Sequence, residues 1–516
     1  MSDFCVIGSG PAAVSAAVAL TRRNLRVTML DAGREIDPSR QAVVTRMSAQ
    51  SPQEWSGDDA RLIKEGVEAS ASGIPLKRLY GSGFPFDTSG SGIEITYRNA
   101  AVRPGFARGG LSNVWGAGML PFHRDDLAEW PVEAADLERH YPHVLSFLPF
   151  SAAHDALENS FPLYKRDVET MPPSAQGKAF LADAARGAPA LARGGITVGQ
   201  SRLAVRGHAC RQCGLCLYGC PYGLIWNSAS VLDQRESLPD FRYERGFVVD
   251  RLQERNGRVE IEGHDLTTGS PRRFDADRVL LGAGAISSTA ILLASLGDFA
   301  APVRLADSFY FLLPLLRFAG VPTPEREPLH TLAQAFAVMR APDVCREFVH
   351  FSIYGFNDLM VPSLRASIGA LGGSSALASR TLVAGGYLHS RLSPGMLMTV
   401  EAGGRVVLEG ENSDRAIATA KKAAAKLLRQ TCGLRTLPLT FAMRFPPPGR
   451  GFHTGGSFPM RAGRTRHTSD IEGRPFGFDR VHLIDAACLP SIPATTITLP
   501  VMANAWRIAN LAADRA

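Results

Sequence analysis

The sequence contains no apolar run of the about 18 residues that a membrane-spanning helix needs. Its longest apolar run, Phe309 to Leu316, is interrupted by Pro314, and we expect it to form a buried strand. No basic segment followed by an apolar stretch precedes the first predicted strand, so no secretory signal is visible. We therefore expect a cytoplasmic protein without a transmembrane segment, unless a partner carries the folded chain across a membrane.

The chain also lacks blocks of like charge. Its formal net charge of +7 comes from 56 basic and 49 acidic residues, and the arginines are scattered along the chain. This pattern is typical of a solvated surface, and no nucleic-acid-binding motif is present, so we expect no nucleic-acid partner. At 516 residues with 45% hydrophobic side chains, the chain is long enough for a large two-lobed enzyme or two to three domains.

The first 31 residues predict a βαβ unit. An apolar strand, Phe4 to Ile7, runs into a turn that contains Gly8 and Gly10, and a helix of small residues leads to a second strand that ends at Asp31. Two later apolar strands are predicted. The first, Val279 to Leu281, runs into the turn Gly282 to Ala285, and the second, Val481 to Ile484, ends at Asp485. We expect these distant segments to form one sheet that begins as a parallel sheet.

Residues 300 to 450 have a different character. Strand-like runs at 348–354 and 405–408 accompany one strong helix, which is predicted to begin after Ser413 and to stop at Gly433. That helix places Ile417, Ala420, Ala424 and Leu427 or Leu428 on one face. We assign this region to a separate lobe on the substrate side.

The glycine-rich turn predicts a dinucleotide site. Gly8 permits the tight turn, Gly10 lets the backbone approach a pyrophosphate, and the small side chain of Ala13 allows helix and strand to pack closely. The free N–H groups of the helix N-terminus then face the phosphates. Asp31 stands at the end of the next strand, where it is placed to accept hydrogen bonds from a ribose.

These features, taken in order, resemble the glucose-methanol-choline (GMC) oxidoreductases. Residues 108–118 (RGGLSNVWGAG) are similar to the family's loop beside the flavin ring, 279–289 to its second nucleotide-side strand and turn, and 481–503 to its closing strand and flavin-facing helix. The resemblance implies an α/β fold with a GMC-type, Rossmann-like FAD-binding domain and a second, substrate-binding α+β domain. It places the first domain at 1–130, 200–300 and 450–516, with an insertion at about 205–230, and the second at 131–199 and 301–449.

The resemblance also implies which residues bind FAD. The residues it carries over are Gly8, Gly10, Ala13, Asp31 and Val249 on the ADP side, Arg108, Gly110, Ser112 and Asn113 near the isoalloxazine, and Asp485 on the ribityl-phosphate side. One relative, pyranose oxidase, attaches its flavin through a His in this loop, where this chain has Val114. We therefore expect FAD to be bound without a covalent link.

Members of the family oxidise alcohols with a histidine base, and His453 in GFHTGGSFPM matches it. A neutral imidazole can accept a proton near neutral pH. The family's second residue, His or Asn, corresponds to Thr496, which can donate a hydrogen bond but cannot act as a base near neutral pH. His453 is thus the predicted base. A helix starting at Pro500 is expected to direct its N-terminus at the flavin and to stabilise the anionic reduced form.

Half of the eight cysteines lie within 11 residues: Cys210, Cys213, Cys216 and Cys220, the last followed by proline. This spacing is typical of bacterial ferredoxins. We expect an iron–sulfur cluster, 4Fe-4S with Cys220 as fourth ligand. Within this prediction the alternatives are another fourth ligand, one of Cys5, Cys345, Cys432 and Cys488, or no fourth ligand and a 3Fe-4S cluster. Structural zinc and free or disulfide-bonded thiols are the alternatives.

Together these features predict an FAD-dependent dehydrogenase that oxidises a CH–OH group of a sugar, cyclitol or glycoside. The cluster would pass single electrons to a quinone, cytochrome or ferredoxin. Two alternatives stay open: an oxidase that uses O2 and has structural cysteines, and a redox-neutral isomerase or epimerase.

Overall fold

A computed structural model of the chain describes residues 3–66, 76–322, 327–355, 357–360 and 375–515. Parts of the region 301–449 that we assigned to a substrate lobe therefore lie outside the described residues. The strands are β1 Asp3–Ile7, β2 Arg26–Asp31, β3 Glu94–Arg98, β4 Ile196–Gln200, β5 Phe241–Arg245, β6 Phe247–Arg255, β7 Arg258–Asp265, β8 Pro271–Ala276, β9 Arg278–Leu281, β10 Val303–Asp307, β11 Tyr310–Arg317, β12 Ala335–Met339, β13 Val349–Tyr354, β14 Thr381–Leu388, β15 Met396–Val400, β16 Arg405–Gly410, β17 Thr436–Pro438, β18 Thr454–Gly455 and β19 Val481–Leu483. The helices are α1 Pro11–Thr21, α2 Pro38–Ser48, α3 Gly57–Lys64, α4 Ala134–Glu138, α5 Tyr141–Leu145, α6 Ala175–Arg186, α7 Ala188–Arg193, α8 Ala229–Arg235, α9 Ala285–Leu296, α10 Ser375–Ala378, α11 Asp414–Leu428, α12 Thr431–Leu434 and α13 Thr498–Asp514.

The predicted parallel sheet is confirmed. Its strand order is β19-β9-β1-β2-β5, and every pair in it is parallel. The sheet therefore unites segments that lie hundreds of residues apart in sequence. Because the carboxyl ends of parallel strands meet at one edge, the turns after β1, β2, β9 and β19 come together there.

Helix α1 packs between this sheet and α13. Its alanine-rich sequence leaves nine of its residues buried, and small side chains allow the close approach that buries a helix on two sides. The hydroxyl of Ser15 donates a hydrogen bond to the carbonyl of Met502 in α13 (2.7 Å). The C-terminal helix is thereby fixed against the nucleotide-side helix.

A second, six-stranded sheet has the order β17-β11-β14-β13-β12-β4, and all its pairs are antiparallel. The predicted buried strand at Phe309 to Leu316 is confirmed as its strand β11. A five-stranded sheet of order β18-β10-β15-β16-β3 and a three-stranded sheet of order β6-β7-β8 complete the strands. The region 301–449 thus contributes strands to the six-stranded sheet and to the five-stranded sheet that contains β10, β15 and β16.

Helix α11 covers the six-stranded sheet. It begins at Asp414, as predicted, and buries Ala420, Ala424 and Leu427. The predicted end at Gly433 is wrong, because α11 ends at Leu428 and Gly433 lies in the separate short helix α12. In the part of the chain that the structure describes, no helix is both long and apolar enough to cross a membrane.

Candidate functional site

A cavity of about 450 Å³ opens at the carboxyl edge of the parallel sheet. It extends from the glycine turn after β1 to the segment Arg450 to Thr454, and strands of the six-stranded sheet line it on one side. This is the edge of a parallel sheet at which ligands bind in open α/β folds. The cavity therefore brings the predicted nucleotide-binding residues and the candidate catalytic residues around one space.

The glycine turn approaches a neighbouring strand end so closely that Gly8 has no room for a side chain. Gly8 has φ +95°, and a Cβ built on it would lie 2.5 Å from the carbonyl oxygen of Gly282. Gly10 differs, because it has ordinary extended backbone and a Cβ on it would meet no protein atom within 4 Å. Gly10 lines the cavity, so a ligand there could approach its backbone closely. Ala13 lies behind the turn, fully buried.

Asp31 ends β2 and lines the cavity. The hydroxyl groups of Ser9 and Tyr243 both donate hydrogen bonds to its Oδ2 atom, the latter at 2.9 Å. Burial raises the pKa of Asp31 to about 6, against the effect of these hydrogen bonds. The carboxylate keeps acceptor capacity at Oδ1 for a ribose hydroxyl. Tyr243 was not predicted; its strand gives no sequence motif that marks it.

The loop 108–118 lies across the glycine turn. Gly110 and Ser112 line the cavity, and the Ser112 hydroxyl donates to the carbonyl of Gly109 (2.5 Å). Asn113 donates through Nδ2 to the carbonyls of Arg108 and Gly110 at 3.0 and 2.7 Å. Asn113 therefore holds the shape of the loop from outside the cavity.

Arg108 also lies outside the residues that line the cavity. Its guanidinium forms ion pairs with Asp233 (2.8 Å) and Glu236 (2.7 Å) and lies 5.4 Å from the centre of the Tyr243 ring. Because Tyr243 in turn donates to Asp31, Arg108 supports the acidic end of the site through a second residue.

The remaining predicted cofactor residues line the same cavity. Val249 in β6 does so beside Phe247. Asp485 accepts hydrogen bonds from the Ser288 hydroxyl (2.6 Å) and the backbone N–H of Gly284 (2.8 Å). Burial raises the pKa of Asp485.

The N-terminus of α13 opens on the cavity. The helix starts at Thr498, two residues before the predicted start at Pro500, and Thr498 lines the cavity. No side chain caps this end. Its free N–H groups can therefore face a partly negative ring system.

His453 lies at the other end of the cavity. Its imidazole stacks on the Tyr387 ring at 4.8 Å, and its Nδ1 atom is buried without a hydrogen-bond partner among the described residues. Burial lowers the pKa of His453 to about 4. The ring is therefore neutral at pH 7, with a nitrogen available to accept a proton.

Asp307 fixes the loop that carries His453. Its carboxylate accepts hydrogen bonds from the backbone N–H of Gly449 and the hydroxyl of Thr454, both at 2.8 Å. Burial raises the pKa of Asp307 to about 7. The backbone carbonyl of His453 accepts from the N–H of Ser308 (3.0 Å). Sequence reasoning missed Asp307, because an isolated aspartate at a strand end resembles many surface residues.

Thr496, the predicted second catalytic residue, lines the cavity. Its Oγ1 atom accepts a hydrogen bond from the N–H of Leu120 (2.8 Å), so its hydroxyl hydrogen is left to donate. A Cβ on Gly118 would lie 2.8 Å from Cγ2 of Thr496. Packing therefore holds the threonine in place.

The cavity wall opposite the parallel sheet is aromatic and polar. It includes side chains that sequence reasoning did not select: Tyr310, Phe336, Ser352, Tyr354, Tyr387 and Arg450. Arg450 had a usable signal, because it stands three residues before the predicted base. The tyrosines did not, since aromatic residues in strands are more often core residues.

The four clustered cysteines lie in a loop next to this cavity, and Leu217 of the loop lines it. All four are free thiols. Among the described residues, which include these cysteines, no group of three or more His, Cys, Asp or Glu side chains is arranged to hold a metal ion. The predicted iron–sulfur cluster is therefore not supported by the side-chain arrangement.

Backbone N–H groups nevertheless point at the sulfurs. The N–H of Gln212 donates to Sγ of Cys210 (3.4 Å), and that of Thr331 donates to Cys216. Burial raises the pKa of Cys213 to about 11 and that of Cys216 to about 12, and charge on neighbouring cysteines adds to the rise. These thiols are thus protonated at neutral pH, and a metal would have to displace their protons.

No protein-family model matches the chain, and no curated protein matches it significantly. Among solved structures, the chain is similar to the crystal structure of pyridoxine 4-oxidase from Mesorbium loti, with a TM-score of 0.62 and 17% sequence identity. The match covers 99% of each chain. At this identity the similarity establishes that the two chains share a fold over their whole length.

Proposed function

We propose that the chain is a GMC-type, FAD-dependent oxidoreductase that oxidises a CH–OH group. The observation that carries the proposal is one cavity with a dinucleotide-type glycine turn at one end and a neutral histidine at the other. The shared fold with an oxidase supports it. Bound FAD would supply the acceptor for the two electrons and the hydrogen removed from the carbon.

The chain's own residues divide into two groups in this proposal. Gly8, Gly10 and Asp31 bind the ADP half, and Val249 and Asp485 complete the nucleotide side. At the substrate end, His453 takes the hydroxyl proton on a ring nitrogen, and Thr496 donates a hydrogen bond to the substrate oxygen. His453 suits this role because burial keeps it unprotonated, and Asp307 keeps its loop in place.

We infer a sugar, cyclitol or glycoside as the substrate type and 131–199 with 301–449 as the lobe that selects it. A second candidate substrate is an aromatic alcohol, as the name pyridoxine 4-oxidase suggests for the structural neighbour. The aromatic wall formed by Phe336, Tyr354 and Tyr387 favours this candidate, since aromatic rings pack against one another in offset or edge-on arrangements.

Anaerobic mixing of the FAD-loaded protein with a panel of sugars and aromatic alcohols tests the proposal. We expect at least one alcohol to bleach the flavin absorbance, and His453→Gln to slow the bleaching by about 10²–10⁴ without loss of FAD. Bleaching at the wild-type rate in His453→Gln would contradict the assigned base. Consumption of a dye acceptor, O2 or neither during turnover separates a dehydrogenase from an oxidase and from a redox-neutral isomerase or epimerase.

We further propose that Cys210, Cys213, Cys216 and Cys220 bind an iron–sulfur cluster, 4Fe-4S in preference to 3Fe-4S. The ferredoxin-type spacing and the N–H groups directed at the sulfurs support it. Because the side chains are not arranged around a metal ion, we assign no catalytic step to the cluster. A quinone, cytochrome or ferredoxin acceptor is part of this proposal.

Iron and acid-labile sulfide analysis of anaerobically purified protein tests the cluster. We expect about four irons per chain and their loss in Cys216→Ser. Cys432→Ser is the matched control, since Cys432 is exposed and lies outside the loop. Iron-free protein with full activity would refute the cluster.

A further inference from the structure

The substrate end of the cavity is positively charged. Arg450 and Arg103 both line the cavity. Lys77 lines it too, but its ammonium group donates to the carbonyl of Trp115 (2.7 Å). The described carboxylates that line the cavity are Asp31 and Asp485, and each follows a strand of the parallel sheet and is hydrogen bonded to protein groups. The two signs of charge therefore occupy different parts of one cavity.

Arg450 stands three residues before the predicted base, His453. Its side chain lies near those of Tyr310 and Tyr387, and the Tyr387 ring stacks on His453 at 4.8 Å. A Cβ on Gly451 would lie 3.1 Å from Tyr387 and 3.2 Å from Tyr310. The missing side chain thus lets the backbone next to Arg450 lie against both rings, and the guanidinium itself lies 5.9 Å from the centre of the Phe452 ring.

Arg103 extends the positive charge to the outside. Its side chain is exposed, lies 5.0 Å from the centre of the Tyr97 ring, and is close enough to Arg450 to repel it. The N–H of Ala101 donates to the carbonyl of Pro448 (2.8 Å), so the segments that carry the two arginines are bonded together. An exposed and a half-buried arginine form a path along which an anion is attracted inwards.

The Asp307 carboxyl is hydrogen bonded to Gly449 beside Arg450 and has a pKa raised to about 7, so it offsets the two like charges only in part. An anionic ligand would offset them further. A guanidinium binds carboxylate or phosphate through paired N–H donors, and tyrosine hydroxyls add further donors. Arg450 also contacts protein groups. Its positive charge at the cavity nevertheless favours an anionic ligand.

We propose that Arg450, assisted by Arg103, binds an anionic group of the substrate, a carboxylate or a phosphate, and so orients the alcohol towards His453. The substrate class is thereby an alcohol that also carries a negative charge. This inference rests on the proposed function for the identity of the reacting group, while the anion site itself is a property of the cavity.

The anion site is tested by isothermal titration of the purified protein with benzoate, inorganic phosphate and uncharged benzamide. We expect one of the two anions to bind, with an affinity that falls as salt rises, and Arg450→Met to weaken it at least about tenfold. Benzamide should bind more weakly than benzoate. Arg103→Met should mainly make the anion affinity less dependent on salt. Arg98→Met is the matched control, because Arg98 is exposed and outside the cavity.

Equal anion affinity in the wild type and Arg450→Met, or no anion binding at all, would overturn the proposal. Preference for benzoate identifies a carboxylate and preference for phosphate a phosphoryl group. A second experiment compares flavin bleaching by 4-(hydroxymethyl)benzoate with benzyl alcohol, and by glucose 6-phosphate with glucose. Anion binding without bleaching by any alcohol would refute the proposed function and leave the anion site. Equal bleaching by charged and neutral partners would refute the substrate class and leave the function.

Discussion

Substituting Gly10 by alanine separates cofactor binding from folding. Gly10 has φ −67°, and the added methyl group would meet no protein atom within 4 Å. The folded protein therefore accommodates it without strain, and loss of unfolded-state freedom should raise stability by about 0.4–1 kcal/mol. The methyl group projects into the cavity, however, where it displaces the pyrophosphate from the backbone N–H groups. Each charge-assisted hydrogen bond lost costs about 1.5–3 kcal/mol, so the FAD dissociation constant should rise about 10- to 100-fold.

Gly8→Ala is the matched comparison and should behave in the opposite way. Its backbone has φ +95°, and its Cβ would lie 2.5 Å from the carbonyl oxygen of Gly282. Backbone strain and the forced shift of the strand ends should together destabilise the protein by about 2–5 kcal/mol. Flavin fluorescence titration and thermal unfolding of the apoprotein measure the two effects separately. Wild-type FAD affinity in Gly10→Ala would refute the placement of the pyrophosphate on this turn.

Three further predictions concern the substrate end and the flavin. His453→Gln should lower kcat/KM by about 10²–10⁴, and the wild-type pH profile should fall only below about pH 4, where His453 becomes protonated. His154 is exposed, so the control variant His154→Gln should leave both the rate and the pH profile unchanged. An unaltered rate in His453→Gln would contradict the proposed role of His453. Asp307→Asn should remove a pH dependence of stability: because folding raises the pKa of Asp307 to about 7, the native state binds the proton more tightly, and wild-type stability should fall as the pH rises from about 4 to 7. A melting temperature of Asp307→Asn that falls over this pH range as steeply as that of the wild type would refute that assignment. Acid precipitation should release all flavin, since Val114 offers no nucleophile; flavin retained in the pellet would show a covalent link.

Four of the five strands of the parallel sheet, β1, β2, β9 and β19, were predictable because the turn after each carries a local signal; β5 carries none and was not predicted. An apolar strand followed by Gly8 and Gly10, or by Asp485, can be recognised without knowing what lies opposite. The substrate wall was not predictable in the same way. Tyr310 and Tyr387 come from strands β11 and β14, which pair across a long sequence separation, and only that pairing brings their rings to 5.0 Å from each other.

The cysteines show the limit of spacing as an argument. Their spacing matches a ferredoxin, and the loop does bring the thiols near enough for charge on one to affect another. Ligation also needs the side chains to converge on a point, which depends on rotamers that the spacing does not determine. The described side chains do not converge in this way, so the cluster stays a prediction.

The low pKa of His453 and the charge of Arg450 have a joint consequence for catalysis. Burial makes His453 a weak base, because the imidazolium formed after proton transfer is poorly solvated. Thr496 cannot compensate, since it has no charge to offer. Arg450 lies near Tyr387, and Tyr387 stacks on His453 at 4.8 Å, so under our proposal the bound anion would share this end of the cavity with the base. A nearby negative charge raises the pKa of an imidazole. The same group that orients the substrate would therefore strengthen the base that acts on it, so a neutral alcohol should react more slowly even when it saturates the site.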